Sequence, residues 1–198
     1  MLDPITIIKT AGLIGVFLVI FSESGLFFGF FLPGDTLLFA SGLFASRGYF
    51  PLSILILGCG LAAILGYHFS YWTGKKIGRK LFERKASFFF NKKGIDAAEN
   101  FYTKYGPLTI IAARFIPFIR TFAPVIAGVA EMKYRTFFIF NLIGGVLWAT
   151  FVPTVGYYFG GLIPNPDRYI FPIVIFIISI SFLPIILKLI YNLLFKRS

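Results

Sequence analysis

The chain has one cysteine and one histidine in 198 residues, and only 14% of its positions are charged. A lone Cys59 cannot form an intrachain disulfide, so cysteine says nothing about the redox compartment. A lone His68 excludes an H-E-x-x-H zinc metalloprotease and a lipid phosphatase that needs two catalytic histidines. The G-x-x-x-x-G-K-S/T phosphate loop is absent, which removes ATP hydrolysis by that route. A glycosidase carboxylate pair would need sugar-facing groups that this chain does not offer. No enzyme activity, metal or cofactor is therefore expected. The charge deficit excludes more. Soluble domains carry about 25% charged residues, and this chain lacks the polar side chains to cover a water-facing surface. A soluble enzyme, a disordered tail and a conventional nucleic-acid reader are all ruled out. The stretch from Met1 to Phe21 has one early lysine, Lys9, but no basic n-region and no small-x-small cleavage site. It reads as a retained segment and not as a signal peptide.

What is present is apolar. Hydrophobic residues make up 58% of the chain, and phenylalanine alone fills 27 positions. This is the composition of an integral membrane protein. Three charge-free runs approach or exceed the ~20 residues that a spanning helix needs. They are Gly48–Gly74 (27 residues), Thr136–Pro166 (31) and Tyr169–Leu187 (19), the second span ending near Tyr158–Gly161. Pro153, Pro172 and Pro184 can kink their helices, which membrane helices tolerate. The net charge of +11 reports topology before it reports partners. Nine basic residues and three acidic ones crowd into 75–104, so the positive-inside rule makes that loop cytoplasmic, a solvated stretch beside anionic headgroups. Membrane lipids, and not nucleic acid, are its expected partners.

Two further segments, Glu23–Arg47 and Tyr105–Glu131, are long enough to span but carry charges and helix breakers at their centres. One contains Pro33-Gly34-Asp35; the other contains Arg114 to Arg120 around Pro117, with Pro124 after it. If Tyr105–Glu131 crossed, Lys133, Arg135 and the tail bearing Lys188, Lys196 and Arg197 would all lie outside. If it enters and returns, all five stay inside, so re-entry is expected. The same reasoning makes Glu23–Arg47 a hairpin from the outer face, preceded by an N-terminal helix over roughly Ile5–Phe21 that either crosses or lies at the interface. The hairpin sequences echo one another, Phe31-Leu32-Pro33 before Ala40-Ser41-Gly42 and Phe115-Ile116-Pro117 before Ala127-Gly128. The expected fold is a single all-α membrane domain over residues 1–198. It is an inverted repeat of halves 5–74 and 105–187, with two re-entrant hairpins meeting near the midplane and about four membrane helices. Secondary transporters build their sites from this layout. Pro33, Gly34 and Pro117 are the expected hairpin tips.

Of eight acidic residues, only Glu23 and Asp35 sit deep in apolar surroundings, and Arg114 and Arg120 are the basic equivalents. A charge at bilayer depth costs roughly 2.5–3.5 kcal/mol, so these four need partners or water. They could be ion pairs that only pin the hairpins together. The chemistry favours a polar site instead. Arginine stays charged and presents a planar fork suited to phosphate oxygens. A carboxylate in a poorly hydrated site can take up and release a proton near neutrality. Arg114 and Arg120 are thus candidate phosphate-binding groups, and Glu23 and Asp35 candidate proton carriers. His68 reads as a packed or interfacial residue and not as a proton relay. Tyr71, Trp72, Tyr157 and Tyr158 fit an interfacial aromatic belt, and Gly74 and Gly78 permit close packing.

Glu23, then Pro33-Gly34-Asp35 leading to Leu37-Leu38-Phe39-Ala40-Ser41-Gly42, closely resembles the DedA family, also called the SNARE-associated or VTT-domain group. So does Lys104-Tyr105-Gly106 followed by Ala113-Arg114-Phe115-Ile116-Pro117-Phe118-Ile119-Arg120-Thr121. Ala127-Gly128, Met132, Tyr134, Phe137, Gly144, Trp148 and Gly156-Tyr157 extend the match to about Gly15–Gly161. One position departs: the family often has an acidic residue after the first glycine of Gly-Asp-x-x-x-Tyr-x-x-Gly, and here Gly66 is followed by Tyr67. A proton role at that site does not transfer. The resemblance implies lipid translocation, driven in bacterial members by the proton gradient. It points to undecaprenyl phosphate first, with a phospholipid flippase or scramblase such as one for phosphatidylethanolamine, or a small-ion/proton antiporter, as alternatives. The expected substrate is a lipid with a phosphate headgroup.

Charge parity puts both termini in the cytoplasm. A single cysteine substituted at Lys133 should label from the same side as one at Lys92. Labelling of Lys133 from outside alone would rule out the re-entrant reading.

Overall fold

The computed structural model describes residues 4–26, 29, 32–78, 102, 104–116 and 119–162. Among these residues every regular element is helical: α1 (Pro4–Gly25), α2 (Gly34–Ser46), α3 (Leu52–Thr73), α4 (Leu108–Ala113), α5 (Ile119–Val129) and α6 (Tyr134–Leu162). A π-helical turn, Gly74–Gly78, prolongs α3. The expected span Tyr169–Leu187, most of the basic loop 75–104, and Pro117 lie outside the described residues.

Two helical segments are long and apolar enough to cross a membrane, Leu52–Lys76 with 25 residues and Tyr134–Leu162 with 29. At 1.5 Å per residue the shorter is about 37 Å long, enough for a hydrocarbon core of ~30 Å. Their faces identify the solvent. On α3, Leu57, Leu61, Leu65 and Phe69 recur every four residues and are all exposed, Leu57 by 67%. Its opposite face buries Leu55, Cys59, Ala62, Ala63, Gly66, Tyr67, Ser70 and Tyr71. On α6, Phe138, Leu142, Val146 and Phe151 face outward while Phe137, Asn141, Gly144, Gly145, Trp148 and Ala149 face inward. In water such a leucine stripe would drive association; against lipid tails it is at home. Pro153 sits inside a continuous α6.

The inner faces pack through glycine, because only bare backbone allows the axes to come this close. Gly25 backs onto the Cα of Gly66 and Gly58 lies under the Phe17 ring, so α1 and α3 run parallel. Gly42 meets the Pro153 backbone, Gly156 that of Phe39 and Gly160 that of Leu43, aligning α2 with α6. The Arg47 guanidinium locks the end of this pair by donating to the Gly160 carbonyl at 2.9 Å. Gly74 and Gly128 do the same between the end of α3 and α5, against Val125 and Tyr71. The Ser70 hydroxyl donates to the Ser24 and Gly25 carbonyls at 3.0 and 2.8 Å. This matters because carbonyls at a helix end have no helical partner and lipid offers none.

The helix boundaries differ from the sequence expectation in one respect. The first helix does not stop near Phe21. It runs to Gly25 and is interrupted at Gly12, whose φ of 58° and ψ of −153° suit glycine alone. The apolar arm that carries Glu23 therefore begins at Leu13, and the charge stands near its end and not at its start. Tyr71 also departs from expectation. It is fully buried, stacked on Phe137 at 4.4 Å, with its hydroxyl donating to the Met132 carbonyl at 2.6 Å. Trp72, Tyr157 and Tyr158 stay on the outside.

The α2–α6 contact generates a stability test. A methyl group at Gly156 would press on the Phe39 backbone, whereas nothing lies within 4 Å of a Cβ at Gly161. Gly156→Ala should lower stability in detergent by about 1–3 kcal/mol, the usual cost of overpacking, and Gly161→Ala should leave melting unchanged. Equal melting of the two would show that the contact does not limit packing.

Candidate functional site

The charged residues gather where helices end. Glu23 lies in the last turn of α1, Asp35 in the first turn of α2, and Arg120 in the first turn of α5. Asp35 is well placed, since a helix N-terminus favours negative charge; Arg120, at another N-terminus, is not. The structure resolves the conflict by pairing. Arg120 makes salt bridges with both Glu23 and Asp35. The indole Nε1 of Trp148 donates to the same Asp35 oxygen at 3.1 Å, and the Trp148 ring lies 5.3 Å from the Arg120 guanidinium. Gly34 belongs to this unit, because a side chain there would fall on the Glu23 carboxyl. Pro33 precedes α2, its carbonyl accepting from the Leu37 N–H at 2.8 Å.

Arg114 closes α4 and is held differently. Its guanidinium donates to the Asn141 amide oxygen at 2.5 Å and to the Ala63 carbonyl at 3.3 Å. The Asn141 amide nitrogen is itself fixed by the Ile64 carbonyl at 3.1 Å. The Tyr67 ring covers the guanidinium face at 3.7 Å, and Gly144 and Gly145 leave the space its side chain fills. All of these partners are neutral. Glu23, Arg114 and Arg120 are buried, and Asp35 keeps a third of its side chain accessible.

The depth of the site follows from α3 and α6. Arg114 touches Ala63, next to Ile64, the middle residue of Leu52–Lys76. Asp35 is bonded to Trp148, the middle residue of Tyr134–Leu162. The four charges thus stand at the midpoint of both long helices.

The four charged residues were legible in the sequence, but their unequal partners were not. Asn141, Tyr67 and Trp148 escaped assignment to the site. An amide in the middle of a charge-free run was the available signal for Asn141. For Tyr67 it was the tyrosine standing where the DedA pattern often has an acid. His68 sits apart, bonded to the Tyr134 hydroxyl near the far end of α3. No group of three or more possible metal ligands occurs among the described residues.

Unequal pairing predicts unequal mutants. Arg120→Ala leaves two carboxylates without a counter-ion and should cost about 3–5 kcal/mol. Glu23→Gln leaves Asp35 on Arg120 and should cost clearly less. Thermal unfolding in detergent measures both, and the reverse order would contradict the shared ion pair.

Comparison with known proteins extends this picture. The VTT domain pattern matches residues 32–158. The chain is 40% identical to Escherichia coli protein DedA over 177 residues, 88% of this chain and 80% of that protein. The same identity and length relate it to the uncharacterized membrane protein Rv0364 of Mycobacterium tuberculosis, covering 77% of that protein. Escherichia coli inner membrane protein YqjA is 33% identical over 147 residues, 73% of this chain and 66% of that protein. No solved structure matches. With the domain pattern covering Asp35, Arg114 and Arg120 and the likeness running through most of its length, the chain is a membrane protein that belongs to the VTT-domain (DedA) family.

Proposed function

We propose that the protein is a proton-coupled lipid transporter, not an enzyme, that moves a phosphate-bearing lipid across the cytoplasmic membrane, with undecaprenyl phosphate as the leading substrate. The observation that carries this reading is the arginine shared by two carboxylates at mid-depth. A purely structural ion pair needs one acid per base, and replacing a buried pair with apolar packing is often neutral or stabilising. A second carboxylate gives the cluster a proton-exchange group. In the proposed cycle a lipid phosphate comes to Arg114 and competes for Arg120. The carboxylates it displaces lose their counter-ion and take up protons. Asp35, the more accessible of the two, exchanges first. Return of Arg120 to the deprotonated carboxylates then expels the phosphate. Substrate and protons are linked because phosphate competes with the carboxylates for one guanidinium and a carboxylate released from it takes up a proton.

The architecture supports the same reading. The 13 residues of α2 and 11 of α5 reach only about 20 and 16 Å, too short to cross. We read α1–α2 and α4–α5 as re-entrant hairpins of two inverted halves in one domain, entered from opposite faces, with the C-terminus cytoplasmic. Such broken elements put helix ends and polar groups at the midplane without exposing backbone to lipid.

Reconstitution into liposomes tests the function. An imposed pH gradient should accelerate leaflet exchange of labelled undecaprenyl phosphate, and phosphatidylethanolamine in parallel vesicles identifies the alternative lipid. Glu23→Gln and Asp35→Asn should insert normally and lose the gradient-driven component. Arg114→Lys and Arg120→Lys should transport poorly although charge is kept, because the bidentate fork is gone. Equal wild-type rates with and without the gradient would refute proton coupling.

A further inference from the structure

Among the described residues, two buried side-chain polar atoms lack a hydrogen-bond partner: the Tyr67 hydroxyl and Arg114 Nε. They belong to two side chains stacked on each other, the guanidinium 3.7 Å from the ring centre. Leaving a buried donor unsatisfied costs roughly 1–3 kcal/mol, so two such atoms in one contact call for a reason. Packing does not supply it. Phenylalanine would present the same ring face to Arg114 without burying a hydroxyl. Nor does charge balance supply it. Arg120 has Glu23 and Asp35, whereas Arg114 has the Asn141 amide, the Ala63 carbonyl and the Tyr67 ring, none of which carries charge.

The two atoms share one chemistry. Arg114 Nε can only donate, and the Tyr67 hydroxyl, beside a cation, is best used as a donor. Two donors on and beside a guanidinium whose contacts with Asn141, Ala63 and Tyr67 are all neutral fit a ligand that is anionic and rich in acceptors. We propose that Tyr67 is a specificity-determining residue: its hydroxyl and Arg114 Nε donate together to the oxygens of a phosphate group, making Arg114 the primary anion receptor and leaving Arg120 to the carboxylates until the phosphate arrives. This rests on the reading of Arg114 as a phosphate contact. Neither atom reaches solvent in this conformation, so the contact forms when the site opens to its ligand.

Purified full-length protein in a phosphate-free detergent, titrated with dodecyl phosphate and separately with inorganic phosphate, tests the proposal. The wild type should bind dodecyl phosphate, and Tyr67→Phe should bind it about tenfold more weakly. The ligand-free variant should melt no lower than the wild type, because removing an unsatisfied hydroxyl relieves a cost. Equal affinity in the two proteins would overturn the role of Tyr67 and leave the transport reading intact. No binding by the wild type would overturn both. Inorganic phosphate bound as tightly as dodecyl phosphate, and weakened equally by Tyr67→Phe, would support the contact and identify the free anion as its source. Should Tyr67→Phe fold poorly, 3-fluorotyrosine placed at position 67 gives a second readout. Its fluorine resonance should shift on saturation with dodecyl phosphate, and an unmoved resonance overturns the proposal.

Discussion

A charge in the middle of a bilayer has to be compensated inside the protein, and the architecture follows from how this chain does so for Arg120. The guanidinium stands at the midpoint of the membrane-length helix α6, where insertion of an isolated charge costs roughly 2.5–3.5 kcal/mol. Its partners come from two other elements, Glu23 from the end of α1 and Asp35 from the start of α2. For a helix to end at that depth its neighbours must supply the missing hydrogen bonds, as Ser70 does for α1. For α1 and α2 to reach that guanidinium they lie backbone to backbone on the long helices, α1 on α3 at Gly25 and Gly66 and α2 on α6 at Gly156, while Gly34 leaves room for the Glu23 carboxyl. The glycines and the charges are one arrangement.

The same arrangement makes the two arginines different reagents. Arg120 is a cation in balance with carboxylates, so its availability depends on their protonation. Arg114 is a cation in a neutral cage of amide, carbonyl and aromatic ring, so its availability does not. In the proposed cycle this separates recognition from coupling. One arginine senses the anion, and the other translates its arrival into proton exchange. Two arginines each paired with one acid would lack that division.

Much of this was legible in the residues, and the boundary of legibility is physical. Runs without charge mark α3 and α6 because hydrocarbon tolerates little else over ~30 Å. Glu23, Asp35, Arg114 and Arg120 stand out because their setting makes them costly. The break at Gly12 was invisible because glycine is common in membrane helices, and only the backbone angle distinguishes a hinge from a packing contact. Tyr71 and Trp72 are adjacent aromatics of similar hydropathy, yet one is buried and one exposed; helix rotation decides that, and near-continuous apolarity hides the rotation. Asn141 and Tyr67 were missed because neutral polar groups carry little cost in a sequence scan. They acquire meaning only when Arg114 lies on them.

In the proposed cycle phosphate competes with the Glu23 and Asp35 carboxylates for one guanidinium, and the carboxylates it frees take up protons. The most direct test is to count protons as the ligand binds. Calorimetric titration of purified protein with dodecyl phosphate, repeated in buffers of different ionisation enthalpy, gives the protons exchanged per bound phosphate. The wild type should show net proton uptake that disappears when Glu23→Gln and Asp35→Asn are combined. Tight binding with the same heat in every buffer would contradict it.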